Sequence, residues 1–212
     1  MKRRLLTAAL IICLAAIIAS GTLAYFTDTG RLSNEFMTAT YDPENPDQVV
    51  DPDSLFSIRV YETDKDGKQT TTGLTYKNIA PGQVIDKDPT VQNTGKYGQW
   101  VRVAVTVTEA KAWTDAGILD LTQHIDYDKT QWTCVAPLAI NSDDSVTYVF
   151  YLNKVLESGQ TATLFNHVTI PPTLRVEDMT KLSHFEINIA ADAIQSDNTG
   201  ANAQIAFDNY WE

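Results

Sequence analysis

The stretch that decides the fold is residues 100–109, which read WVRVAVTVTE. Valine occupies every second position, and Arg102, Ala104 and two threonines stand between the valines. Successive side chains of a β-strand point to opposite faces, so this alternation predicts a strand with one face in a core and the other in water. One buried face and one wet face are typical of an antiparallel sheet.

Similar patterns recur on both sides of this stretch. They predict strands over residues 56–61, 74–79, 84–92, 131–135, 145–152, 160–168 and 182–193, separated by Gly, Pro and Asn turns. Residues 112–124 predict a loop with a helical turn, and residues 199–211 a short terminal helix. With no long amphipathic helix, the class is all-β: a jelly-roll-like antiparallel β-sandwich with short helical insertions, over residues 55–212.

The composition excludes several classes of protein. The chain has 212 residues, with 16 basic against 27 acidic residues and a net charge of −11. Nucleic-acid binding depends on clustered Lys and Arg, so no nucleic-acid partner is expected. A hydrophobic content of 43% is too high for a fully disordered chain.

The first 24 residues form a predicted signal peptide. Lys2, Arg3 and Arg4 precede an uncharged apolar run over residues 5–19, and small residues follow it. This order is typical of a secretory signal, with cleavage between Ala24 and Tyr25. The alternative is an uncleaved anchor, but the run is short for a membrane span of roughly 20 residues. Contact with the membrane is therefore expected to be transient, through the signal helix.

Cleavage would leave a strongly acidic chain with one cysteine. All three basic residues of the signal are lost and no acidic ones, so 13 positive and 27 negative charges give −14. Cys13 leaves with the signal, and Cys134 then has no partner for an internal disulfide. Cys134 is expected to pack as a small hydrophobic residue.

Residues 25–54 read as an N-terminal arm and a Pro-rich acidic linker rather than as part of the sandwich. The sequence is polar and irregular, but apolar side chains are scattered through its first part. These apolar side chains are Tyr25, Phe26, Leu32, Phe36 and Met37.

No motif for catalysis, a cofactor or a metal stands out. His124, His167 and His184 are far apart and lack the His-Glu-x-x-His spacing of a metalloprotease helix. No Gly-x-Ser-x-Gly motif occurs. Residues 62–67 (ETDKDG) resemble the start of an EF-hand loop, but Gly73 stands where the twelfth-position Glu is needed. A hairpin turn is the better interpretation there, with weak calcium binding left open.

Three stretches resemble the TasA/camelysin family. Residues 21–28 (GTLAYFTD) are similar to signal junctions cut by the SipW-type signal peptidase. Residues 76–85 (YKNIAPGQVI), 91–95 (VQNTG) and 100–103 (WVRV) are similar to the early core of that family, and residues 185–195 (FEINIAADAIQ) to its closing strand. Residues 110–180 show no such similarity.

The resemblance implies a secreted protein of the extracellular matrix or cell surface of a Gram-positive bacterium. It implies a non-enzymatic subunit of biofilm matrix fibres, processed by a SipW-type signal peptidase. Its partners would be further copies in a head-to-tail fibre, or related fibre subunits, joined by donation of the N-terminal strand. In that strand the side chains of Tyr25, Phe26, Leu32, Phe36 and Met37 would fill a groove of the next subunit. The alternative for the arm is a disordered tail with no partner.

Two alternatives of other classes remain open. One is a monomeric adhesin or ligand-binding β-sandwich that uses Trp100, Trp113 and Trp132 to hold a sugar or a host protein. The other is a camelysin-like metalloprotease, for which the sequence offers no ligand set.

Overall fold

The architecture was analysed in a computed structural model, which describes residues 27–29, 40–42, 45–50, 55–116, 120–135, 137, 139–182 and 185–211. The predicted signal peptide and cleavage site, Ala24 and Tyr25, lie outside the described residues. So do the other four proposed donor side chains, Phe26, Leu32, Phe36 and Met37.

The described residues form short strands and a few short helices. In chain order the strands are β1 (Thr27–Thr29), β2 (Thr40–Asp42), β3 (Asn45–Val50), β4 (Ile58–Thr63), β5 (Gln69–Thr70), β6 (Val84–Asp86), β7 (Thr90–Asn93), β8 (Gln99–Thr108), β9 (Trp132–Val135), β10 (Ser145–Leu152), β11 (Thr161–Thr163), β12 (His167–Thr169) and β13 (Ile187–Gln195). The helices are α1 (Ala110–Asp115), α2 (Val176–Lys181) and α3 (Ala203–Trp211), with a 3₁₀ turn at Leu121–Gln123.

All strand pairs of the described chain are antiparallel, which confirms the all-β class. A five-stranded sheet has the order β1-β13-β8-β10-β9, and a four-stranded sheet the order β11-β7-β4-β5. Two further pairs, β12-β6 and β2-β3, complete the arrangement. The longest ladders join β8 to β13 and to β10, so the predicted strand over residues 100–109 lies at the centre of the larger sheet.

One hydrophobic core contains side chains from both larger sheets. The valines of β8 at positions 101, 103, 105 and 107 are buried, as the alternation predicts. They share a cluster with Ile58 and Val91 of the smaller sheet and with Trp132, Phe150 and Phe165. On the opposite face of the five-stranded sheet, α3 buries Ala206 and Phe207 against Trp100 and Tyr151.

Several predicted elements differ from the structure. Residues 74–79 were predicted as a strand but form none. Asn78 adopts a positive φ of 57°, which breaks an extended backbone, although Tyr76 and Ile79 still pack on the core. The strand predicted over residues 84–92 is interrupted between β6 and β7, where Pro89 lacks the N–H that a ladder needs.

The predicted irregular linker also contains regular structure. Within residues 25–54, β2 and β3 pair as a hairpin with an irregular register between Tyr41 and Asp42. Val49 and Val50 of β3 pair with Tyr41 and Thr40 of β2, so this part of the predicted linker forms a two-stranded ladder.

A candidate strand-accepting groove

The five-stranded sheet has an incomplete edge at β13. On the side away from β8, β1 pairs only with Asp192, Ala193 and Ile194. Among the described residues no strand pairs with Ile187–Ala191 on that side. Within the described part of the chain, the outward backbone N–H and C=O groups of this segment therefore have no strand neighbour, which is the condition of an open sheet edge.

The four-stranded sheet has a similar edge at β4. The side facing β7 is paired along Ile58–Tyr61, whereas the ladder with β5 includes only Glu62 and Thr63. Within the described part of the chain, no strand continues the β5 ladder along Arg59, Val60 and Tyr61. The chain leaves the sheet after Thr70 and passes to the β6 strand without regular structure.

These two edges line the same groove, which has a volume of about 480 Å³. The edge of β4 lines it with residues 58–62, the edge of β13 with residues 187–190, and the segment after β5 with Thr71, Thr72 and Gly73. A second groove of about 530 Å³ adjoins it and shares Gly73, Lys87, Ile187 and Asn188. Together they form a trough between the sheets, which we call the edge groove.

An ion pair lies in the wall of the edge groove. Lys87 Nζ donates to Glu62 Oε1, and both side chains are more than nine-tenths buried. Glu62 Oε2 is also buried, and none of the described residues donates a hydrogen bond to it. Leaving such an oxygen unpaired costs about 1–3 kcal/mol.

Tyr76 closes one end of the trough. Its hydroxyl donates to the carbonyl oxygen of Asp86 at 2.6 Å. Burial and the nearby carboxylate of Glu62 raise the pKa of Tyr76 to about 12. The phenol therefore stays protonated and keeps this hydrogen bond at all physiological pH values.

The structure pairs part of the N-terminal arm within its own chain. Thr27, Asp28 and Thr29 stand opposite Ile194, Ala193 and Asp192. We expected the arm to pair with a neighbouring subunit. The structure instead pairs these three residues of the arm with a strand of the same chain. The three residues cover only one end of β13 and leave the edge groove open between the described strands.

His124 and His167 lie on segments that pair through an isolated antiparallel bridge between Ile125 and Val168. His124 is partly buried, and burial lowers its pKa, which favours the neutral ring. His167 lies at the surface on β12, and its Nδ1 is 2.8 Å from Asp126 Oδ2 and its Nε2 3.5 Å from Asp86 Oδ1. The hydrogen bond with Asp126 is the main reason why the pKa of His167 is raised. His184 lies outside the described residues.

The structure gives no ligand set to the metalloprotease alternative. In the described segments, no three His, Cys, Asp or Glu side chains are grouped so that they could hold a metal ion. Cys134 is partly buried, and burial raises its pKa to about 11, which keeps it a thiol.

The calcium-like segment forms the expected hairpin turn. Asp64 Oδ1 accepts hydrogen bonds from the backbone N–H groups of Asp66 and Lys68, both at 2.9 Å. Gly67 adopts a φ of 76° between β4 and β5. The Asp64 carboxylate thus stabilises the turn itself.

The tryptophans named for a ligand-binding module lie in the core. Trp100, Trp113 and Trp132 are 7%, 8% and 1% exposed. None of them presents a ring face on which a sugar could stack.

The sequence contained one overlooked signal for the groove. Ile58, Val60 and Glu62 stand at alternate positions of one strand, so the period that buries Ile58 also directs the Glu62 carboxylate inward. A buried carboxylate requires a cation. Its partner, Lys87, is 25 positions away and cannot be identified from the pattern.

No helix in the described residues is long and apolar enough to cross a membrane. Comparison of the chain with protein-family models, with curated proteins and with solved structures finds no match.

Proposed function

We propose that this chain is a secreted structural protein, a subunit of extracellular biofilm matrix fibres that assemble by addition of an N-terminal donor strand. Its sandwich is jelly-roll-like, and a signal helix over residues 1–24 is removed between Ala24 and Tyr25. The protein is not an enzyme and acts outside the cell, in the matrix or at the cell surface.

The observation that carries the proposal is the edge groove. Two strand edges that lack a complete partner among the described residues, β4 at Arg59–Tyr61 and β13 at Ile187–Ala190, line one cavity. An extended peptide could pair with the open part of either edge, which is the chemistry of strand addition. Open edges also invite pairing with other chains, so a protein that keeps them gains a route to assembly.

The arm supplies a suitable donor by its chemistry. Residues 25–39 carry Tyr25, Phe26, Leu32, Phe36 and Met37, which could fill the apolar parts of the groove lined by Ile79, Ile85 and Phe185. Donation from each subunit to the next is heterologous, so it propagates into a fibre rather than closing a dimer. The pairing of β1 with its own β13 is compatible with this if residues beyond Thr29 leave for the neighbour.

A comparison of two chains tests the proposal. The chain that starts at Tyr25 should form filaments, visible by electron microscopy and as a large species on a sizing column. The chain that starts at Asp53 retains the hydrophobic core but lacks the arm, and it should stay monomeric. If both chains assembled equally well, strand donation by the arm would not be the mechanism of assembly.

A further inference from the structure

Glu62 and Lys87 form the one deeply buried ion pair of the described residues. Both side chains are more than nine-tenths buried, whereas each of the other pairs there has at least one more exposed member. Lys87 Nζ donates to Glu62 Oε1, and no other described residue hydrogen-bonds to either charged group. Each buried charge is therefore stabilised by the other alone, which makes the charged form of the pair costly.

The backbone beside both side chains is fixed. The N–H of Thr63 donates to Asp88 Oδ1 at 2.6 Å, which joins the residues that directly follow Glu62 and Lys87. The N–H of Lys87 itself donates to the carbonyl oxygen of Asn166 at 3.0 Å. Two groups held in contact in this way react as if one were present at a very high concentration, up to about 10⁵–10⁸ M for well-oriented pairs.

We propose that Lys87 and Glu62 condense into an intramolecular isopeptide bond, so that the folded chain cross-links β4 to the residue that follows β6. This modification goes beyond the proposed function, because it takes place within one chain and requires no partner subunit. Water is the only other product, so no outside reagent is consumed.

The step balances within the pair. A proton passes from the Lys87 ammonium to Glu62 Oε1 along the existing hydrogen bond, which leaves a neutral amine beside a neutral carboxylic acid. The lone pair of Nζ then attacks Cδ and forms the C–N bond. The hydroxyl at Oε1 takes a second proton from Nζ and leaves as water with the electrons of its C–O bond. Oε2 becomes the oxygen of the amide, whose nitrogen keeps one hydrogen.

Burial favours the product for two reasons. The reactants carry two charges in a site with little access to water, whereas the amide carries none. The unpaired Oε2 then belongs to a neutral amide rather than to a carboxylate, so the cost of leaving it without a donor is smaller. Exclusion of water also slows hydrolysis of the new bond.

The bond would close a ring over residues 62–87. This ring contains β5 and residues 71–83, which form no helix or strand and line part of the edge groove. Of the two cysteines of the sequence, Cys134 lies in the described residues and is free there. The isopeptide bond would therefore give this part of the chain a covalent constraint that does not depend on cysteine.

Peptide mapping of the full chain, folded and then denatured for digestion with trypsin, tests the proposal. Residues 60–65 should stay joined to residues 78–96, because an acylated Lys87 is no longer a cleavage site. The branched peptide should weigh one water less than its two parts, and fragmentation should place the link between Glu62 and Lys87. Separate peptides 60–65 and 78–87 would overturn the inference.

Two controls accompany the map. Lys87→Arg keeps a cation opposite Glu62 but removes the amine, so trypsin should cleave after position 87 and release residues 60–65. The exposed pair of Lys111 with Asp144, at 3.8 Å, provides a control within the parent digest, where trypsin should cleave after Lys111. A branched peptide at Lys111 as well would overturn the claim that burial selects the reacting pair.

The dependence on folding gives a second measurement that needs no variant. A chain recovered unfolded from inclusion bodies and kept in urea should lack the branched peptide and should gain it on refolding. A branched peptide in the chain that has never folded would contradict a reaction driven by the folded site. The map is read on monomers, so its failure leaves strand donation standing, and a chain that forms no filaments leaves the cross-link unaffected.

Discussion

The two sides of the core differ in how completely their strands are paired. Around β8 and β10, ladders of nine and seven residue pairs enclose a row of buried valines, and each residue from Gln99 to Val107 of β8 has a partner on β13. At the edge groove, β5 contributes two residues and β1 three, so long parts of β4 and β13 lack a neighbour among the described strands. One side has the pairing of a finished sheet, and the other has the form of a binding site for a strand.

Stability and function are expected to depend on different sides of the core. Removal of buried volume beside β8 should strongly destabilise the protein, because nothing compensates for the lost packing. Changes at the edge groove should leave the monomer folded and alter what it can bind. The predictions that follow test this separation.

The largest effect is expected from Phe150→Ala, on the fully paired side. Phe150 is completely buried on β10 and contacts the ring of Tyr127 edge-on at 5.2 Å between centroids. Truncation should lower the free energy of unfolding by about 3–5 kcal/mol, through lost burial and the cavity that remains. Urea denaturation followed by tryptophan fluorescence would measure the loss.

The matched variant on the groove side is Ile189→Ala. Ile189 stands on β13 directly opposite Val105 but is only partly buried, and no described strand flanks it on its outer side. Its truncation should cost less than half as much as Phe150→Ala. Equal losses from the two variants would show that the groove side is packed as completely as the other.

A smaller effect on stability, with a large effect on assembly, is expected from Ala190→Lys. Ala190 lies on the open part of the β13 edge and lines the groove. A lysine there would obstruct an added strand, which is how natural edges are protected. The free energy of unfolding should stay within about 0.5 kcal/mol of the parent, since the site is at the surface.

The control for this variant is Ala104→Lys, because Ala104 is the cross-strand partner of Ala190. It places the same charge one strand further in, where β10 and β13 already flank β8. Light scattering should show filaments for Ala104→Lys and none for Ala190→Lys. Filaments from Ala190→Lys at the parent concentration would show that a different edge accepts the strand.

The fully paired side is also the part that could be predicted from sequence. The alternation in β8 and β10 is long and rich in β-branched residues, and the predicted and observed bounds agree within one residue for both strands. Short strands were predicted less accurately. Residues 74–79, for example, contain enough apolar side chains to pack on the core without pairing as a strand. Local pattern cannot distinguish a segment that joins a ladder from one that only covers the core.

The groove could not be predicted, for a physical reason. It lies where two pairings end early among the described strands, and its two edges belong to β4 and β13, which are distant in sequence and lie in different sheets. One residue, Glu62, indicated the groove in the sequence, because it stands at an inward-facing position of an alternating strand. The donor residues at 25–37 lie outside the described part of the chain, so their role stays a prediction.

The smallest effect is expected from the surface cluster of His167, Asp126 and Asp86, which holds β12 and β6 beside the trough. Asp126 accepts the His167 ring and the backbone N–H groups of Asn166 and His167. The hydrogen bond between His167 and Asp126 raises the pKa of the His167 ring in the folded state. A raised pKa means that the folded chain binds a proton more tightly than the unfolded chain.

The stabilisation is therefore fully present below the unfolded pKa, about 6.5, and is lost as the pH rises through the higher folded pKa. Asp126 stays ionised in this window, because hydrogen bonds from His167 and Asn166 outweigh burial and lower its pKa. The melting temperature of His167→Gln should fall below that of the parent at pH 5.5 and approach it at pH 8.5, and scanning calorimetry at both pH values would measure this. Because the imidazole is nearly half exposed, the difference should be small. A constant difference across the range would mean that His167 acts through packing rather than through its charge, and the pairing of β6 with β12 would then not depend on pH.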